Sequence, residues 1–123
     1  MKPNDLRDDI FALATKQGFH GVDENGINQD DLSRKLMLVV SELAEAQEAE
    51  RKEVSVWRKD TDTPIPSPDE FKKLYRGTIE EEIADAVIRL ADIAGMIGMN
   101  LDWWIKAKME YNRSRPYKHN KEY

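Results

Sequence analysis

The chain contains no cysteine, which removes disulfides, zinc fingers and thiol nucleophiles together. It also lacks any long apolar run. No segment approaches the ~18 apolar residues of a membrane span. The opening Met1-Lys2-Pro3-Asn4-Asp5 leads into a charged helical pattern rather than the apolar core of a signal peptide. A cytoplasmic protein without membrane insertion is therefore expected. There is no excess of positive charge either: the net charge is −5, which argues against nucleic-acid binding as the main task. No stretch of four or more residues alternates apolar and polar, so no strand is expected. The two histidines, His20 and His119, have no metal-ligand spacing and receive no role. A di-iron bundle would want a histidine three residues after a glutamate, and an HD-type phosphohydrolase a clustered His-Asp; neither is present.

What is present is one modest helical domain. The 123 residues suffice for a single core, with 40% hydrophobic and 35% charged residues. A first helix is expected from about Asp5 to Lys16, with Leu6, Ile10, Leu13 and Ala14 inward. Gly18 ends it, and residues 18–29 form a loop. Asp30 or Asp31 can cap a second helix running to about Lys52, with the stripe Leu32, Leu36, Val39, Val40 and Leu43 at helical spacing. A Pro-containing connection spans residues 54–76. Within it, Ser67-Pro68-Asp69-Glu70 reads as the start of a short helix. Thr78, with Glu81 as its capping-box partner, opens a long helix whose stripe is Ile79, Ile83, Ala86, Leu90, Ile93 and Ile97, ended by Gly98. Asn100 caps a last helix over Leu101 to about Arg113, and residues 114–123 form a basic tail. The expected fold class is all-α, most simply a four-helix arrangement. A small core and helices that are apolar on more than one side predict an oligomer.

The segments Glu42-Leu43-Ala44-Glu45-Ala46 and Glu82-Ile83-Ala84-Asp85-Ala86 share one pattern: acid, aliphatic, Ala, acid, Ala. Residues three apart on a helix share a face, their Cβ atoms ~5–6 Å apart, so each pair of carboxylates can reach one cation. On a helical wheel Glu42 and Glu82 each fall roughly 80–100° from the centre of the apolar stripe, with Glu45 and Asp85 further round on the same side. Packed as neighbours, the two helices bring four carboxylates together. Such a group repels itself unless protonated or neutralised by a cation. All-oxygen ligands favour Mg²⁺ or Mn²⁺, which readily take phosphate oxygens. The plain alternative is that these acids are solvated helix surface. Glu48, Glu50, Glu53, Glu80 and Glu81 are read as solvated or helix-start charges. Asp92 is read as a salt-bridge partner of Arg89 or, less simply, as an extra ligand.

On the last helix, Leu101, Ile105, Lys108 and Asn112 fall on one stripe that begins apolar and ends polar. Lys108 could contact phosphate, and Asn112 a base, a sugar or a neighbouring side chain; fraying into solvent is the alternative. Arg113, Arg115 and Lys118 extend this basic region. Trp57 could stack on a base or cover an apolar patch.

These residues resemble the MazG-like, all-α nucleoside triphosphate pyrophosphohydrolase superfamily, whose hallmark is an ExxE on one helix and an ExxD on the next. The stretch Asp85-Ala86-Val87-Ile88-Arg89-Leu90-Ala91-Asp92-Ile93-Ala94 is similar to the family's third helix. The ending from Lys108 through Asn112 and Arg115-Pro116-Tyr117 to His119 is similar to a tail found in many members. The likeness covers roughly Leu32 to His119, and the connection between the acid motifs is longer than in compact members. The resemblance implies Mg²⁺-dependent hydrolysis of a (deoxy)nucleoside triphosphate to monophosphate and pyrophosphate, with Glu42, Glu45, Glu82 and Asp85 on the metal and Glu45 as proton acceptor. It implies Lys108 and a tail arginine on the phosphates, and a homodimer or homotetramer whose subunits complete each other's sites. The alternatives are a phosphoribosyl-nucleotide pyrophosphohydrolase and a non-catalytic helical interaction module.

Overall fold

The computed structural model describes residues 1–56 and 62–116. Five helices follow in order: α1 (Pro3–Lys16), α2 (Leu32–Arg51), α3 (Pro68–Leu74), α4 (Ile79–Met96) and α5 (Leu101–Ser114). Among the described residues there is no strand, only an isolated bridge between Val22 and Asn28 in the loop before α2. The all-α expectation holds. No helix among the described residues is long and apolar enough to cross a membrane.

The helix ends follow local chemistry. Pro3 occupies the first turn of α1, two residues earlier than expected, and the Asp5 carboxylate accepts from the Lys2 backbone N–H at 3.3 Å. Asp31, not Asp30, caps α2: its side chain accepts from the Arg34 N–H. Ser67 and Glu70 form the expected capping box on α3. At α4 the pattern differs by one residue. The Thr78 hydroxyl accepts from the Glu81 N–H, but the Glu81 carboxylate reaches back past Thr78 to the Gly77 N–H at 2.8 Å. Gly77 has φ +79°, the left-handed geometry that presents its N–H there. Asn100 caps α5 through the Trp103 N–H.

Helix α4 is the central element. α2 packs along it, α1 packs along it as well, and α5 meets α1. Asn4 exchanges hydrogen bonds with the Asp102 carboxylate and N–H, and Arg7 donates to the Met99 carbonyl at 2.7 Å, which fixes the start of α1 to the start of α5. Val39 of α2 clusters with Ala86 and Ile93 of α4, and the other buried apolar residues of the two helices are Ala46, Ala49, Ile79, Ala91 and Ala94. Small side chains at buried positions permit close approach of packed helices.

The inward face of α2 is not the leucine stripe. Its buried positions are Lys35, Val39, Glu42, Ala46 and Ala49, whereas Leu36 is 45% and Leu43 53% exposed. On α4, Ile83 and Leu90 are likewise half exposed in the single chain. Bulk does not decide which face is buried: α2 buries small residues, the Lys35 side chain and the Glu42 carboxylate in place of its leucines. A backbone hydrogen bond joins the exit of α2 to the entry of α4. Glu53 takes φ +57° after the helix, Val54 N–H donates back to the Ala49 carbonyl, and the Val54 carbonyl accepts from the Ile79 N–H at 3.0 Å.

Candidate metal centre

Rotation of α2 about its axis puts Glu42 on the α4 side, buried, with Glu45 one turn on and exposed. From α4, Glu82 meets them: carboxylate oxygens of Glu42, Glu45 and Glu82 lie within 4.8 Å of one another. A second group with the same spread is formed by Glu81, Glu82 and Asp85. Glu82 belongs to both. Three of the four expected ligands thus form one group, and Asp85 joins through Glu82. Glu81 is expected from the sequence to be a helix-start charge. It is one, since it holds the Gly77 N–H and pairs with Arg76 at 3.1 Å, but its carboxylate also borders the cluster. The signal available in the sequence was its place four residues before Asp85 on one helical face.

The electrostatics are those of a site with surplus negative charge. Burial, then contacts with Glu45 and Glu42, push the Glu82 carboxyl up to about 7. Burial, then the charges of Glu42 and Glu81, raise Asp85 as well. Glu42 runs the other way. Burial acts to raise it, but the hydrogen bond from Arg89 and those shared with its carboxyl neighbours outweigh burial and hold it below the usual carboxylate range. The Arg89 Nε donates to Glu42 at 2.8 Å. An all-carboxylate donor set with oxygens this close fits a small hard dication, which takes oxygen ligands and removes the repulsion that otherwise forces protons onto the cluster.

Asp92 does not pair with Arg89. Arg89 reaches across to α2, while Asp92 is buried under the loop before α2, where its Oδ1 lies 2.7 Å from His20 Nε2 and its Oδ2 3.5 Å from Lys35 Nζ. The other ring nitrogen of His20, Nδ1, lies 2.7 Å from Asp30 Oδ1. His20, which has no metal-ligand spacing in the sequence, therefore ties the loop to α4. Its partners come from distant parts of the chain, so no local pattern announces it. The Phe11 ring packs edge-on against the imidazole, centroids 4.5 Å apart.

Two cavities flank the carboxylates. One, of about 560 Å³, lies beneath the connection and is lined by Phe71 and Tyr75, with Glu81 at its rim. The other, of about 350 Å³, lies between α1 and α4 and takes in Glu42, Asp85, Arg89 and Asp92. Of the basic residues expected on substrate, Lys108 sits on α5 and Arg115 directly follows it. Lys108 Nζ lies 4.6 Å and the Arg115 guanidinium 5.7 Å from the centroid of the Tyr111 ring, and Asn112 is half-buried beside them. Trp57, Lys118 and His119 lie outside the described residues. Comparison with protein-family models, with curated proteins and with solved structures finds no match for this chain.

Proposed function

We propose that the chain is a cytoplasmic, Mg²⁺-dependent nucleotide pyrophosphohydrolase of the MazG-like kind, cleaving a (deoxy)nucleoside triphosphate or related nucleotide into monophosphate and pyrophosphate. The observation that carries this reading is the convergence of Glu42 and Glu45 from α2 with Glu82 from α4, extended by Glu81 and Asp85. Glu42, Glu45, Glu82 and Asp85 are the metal ligands, and Mn²⁺ is a fitting substitute for Mg²⁺. When bound, the cation supplies positive charge to the phosphate oxygens and acidifies a water in the site.

Glu45, on the exposed side of the group, accepts the proton of the attacking water. The water oxygen bonds to the α-phosphorus, the bond from that phosphorus to the bridging oxygen breaks, and pyrophosphate leaves. Arg89 holds Glu42 in its ionised, ligating form. Lys108, Arg115 and Lys118 serve the phosphates, Asn112 the base or sugar, and Trp57 stacks on the base. The exposed Leu36, Val40 and Leu43 on α2 and Ile83, Val87 and Leu90 on α4 support a homodimer or homotetramer in which these faces are covered.

The test is pyrophosphate release from a nucleotide panel with Mg²⁺, with Mn²⁺ and with chelator. Release only with metal, lost in Glu45→Ala and Asp85→Ala while folding is retained, is the expected result. A protein that gains no stability from Mg²⁺ and releases nothing from any nucleotide is a helical interaction module instead.

A further inference from the structure

Asp92 is the buried carboxylate that the proposed chemistry leaves unused. It is fixed from two other elements: by His20 from the loop and by Lys35 from α2. Both holders are themselves anchored. His20 is bonded to Asp30, whose second oxygen accepts from the Gly21 N–H at 3.0 Å, and Lys35 Nζ donates to the Phe19 carbonyl at 3.2 Å. A carboxylate offers about four lone-pair positions; these two partners leave room for others. Asp92 also lines the α1–α4 cavity, whose other end holds Glu42 and Asp85. The rest of the lining is apolar from Ile10, Leu13 and Ala14 of α1, Phe19 of the loop and Ile88 of α4, and polar at Gln17 and at Arg89, whose guanidinium is turned to Glu42.

Resting on the nucleotide reading above, we infer that this cavity receives the base and that Asp92 reads its edge, selecting a base with an exocyclic amino group. Asp85 and Asp92 are seven residues apart on one helix, about 10.5 Å along its axis. That separation lets phosphates lie at the Glu42–Asp85 end while the base extends between the apolar walls to Asp92. A fixed carboxylate only accepts, so the edge it meets must donate. The amino group of cytosine or adenine does so; the carbonyl that replaces it in uracil or hypoxanthine turns a lone pair towards a buried anion. The larger cavity touches the carboxylates only through Glu81, which is already engaged by Gly77 and Arg76.

The experiment measures kcat/KM with Mg²⁺ on the pairs dCTP/dUTP and dATP/dITP, which differ at that one group, for the wild type and Asp92→Asn. The expected result is a wild-type preference for one amino-bearing member by roughly ten-fold or more, reduced or inverted in Asp92→Asn because the amide also donates. No preference in the wild type, or an equal fall on both members in Asp92→Asn, overturns the inference and leaves Asp92 a scaffold residue. Calorimetric binding of dCMP, dUMP, dAMP and dIMP to the wild-type protein gives a second reading that does not need turnover or the variant to fold. Tighter binding of an amino-bearing monophosphate than of its keto partner supports the inference, and equal or absent binding within both pairs rejects it. Absent pyrophosphate release from every triphosphate sinks the hydrolase reading separately.

Discussion

Replacing Gly95 by alanine tests how tightly α1 is seated on α4. In an ordinary helix this change stabilises by up to about 1 kcal/mol, because glycine loses more backbone freedom on folding. Here a Cβ on residue 95 would lie 2.6 Å from the Phe11 Cβ and 2.8 Å from its Cγ. Carbon atoms pack best at about 3.5–4.0 Å, so α1 must withdraw by on the order of 1 Å. Overpacking of this kind costs about 1–3 kcal/mol. The balance is a net loss of about 1 kcal/mol and a Tm lower by on the order of 5 °C. Urea unfolding should show a lower midpoint at unchanged m. Because the collision begins at Cβ, Phe11→Ala does not relieve it, whereas Phe11→Gly does; in that background Gly95→Ala should regain its stabilising sign. A Gly95→Ala protein more stable than wild type would refute the close approach of the two helices, and with it the support Phe11 gives to His20.

The remaining predictions concern charge, helix ends and the exposed apolar face of α2. Glu82 is pushed up to about 7 from 4.5, so between those values the folded chain keeps a proton that the unfolded chain has released. Metal-free stability should therefore fall as pH rises from about 4.5 to about 7, with Asp85 acting in the same sense; melting curves in chelator check this, and Mg²⁺ should flatten the loss. Asp31→Ala removes the α2 cap and should cost about 1 kcal/mol in denaturant unfolding. Glu53→Gly relieves a left-handed residue with a Cβ and should stabilise by up to about 1 kcal/mol in the same assay. Leu36→Glu together with Val40→Glu should dissociate the proposed oligomer, seen as a halved or smaller mass by light scattering.

The helical character of the chain and most of the helix caps were legible because they depend on neighbours in sequence. Asp31, Ser67, Thr78 and Asn100 cap the helices they were expected to cap. The paired acidic motifs were legible for the same reason, since their spacing alone puts each pair on one face. Which face of α2 turns inward was not. Periodicity rewards the bulkiest apolar residues, but the partner helix selects Val39, Ala46 and Ala49, which permit close approach, and carries Glu42 inside with them. Arg89 shows a related limit: a residue one turn away is a plausible ion partner, yet a long guanidinium can instead cross to another helix. The bridge from Asp30 through His20 to Asp92 joins residues distant in sequence, and only the packing of the loop onto α4 brings them together.

The hydrogen bond between the Val54 carbonyl and the Ile79 N–H has an evolutionary corollary. The chain departs from the α2–α4 junction at Val54 and comes back to that same point, so everything between is a detour whose ends are already clasped. Closure entropy grows only slowly with the length of such a detour. Insertions or deletions before Arg76 can accumulate without disturbing how Glu45 and Glu82 face each other, so long as Arg76, Gly77 and Thr78 are kept to hold Glu81 and the start of α4.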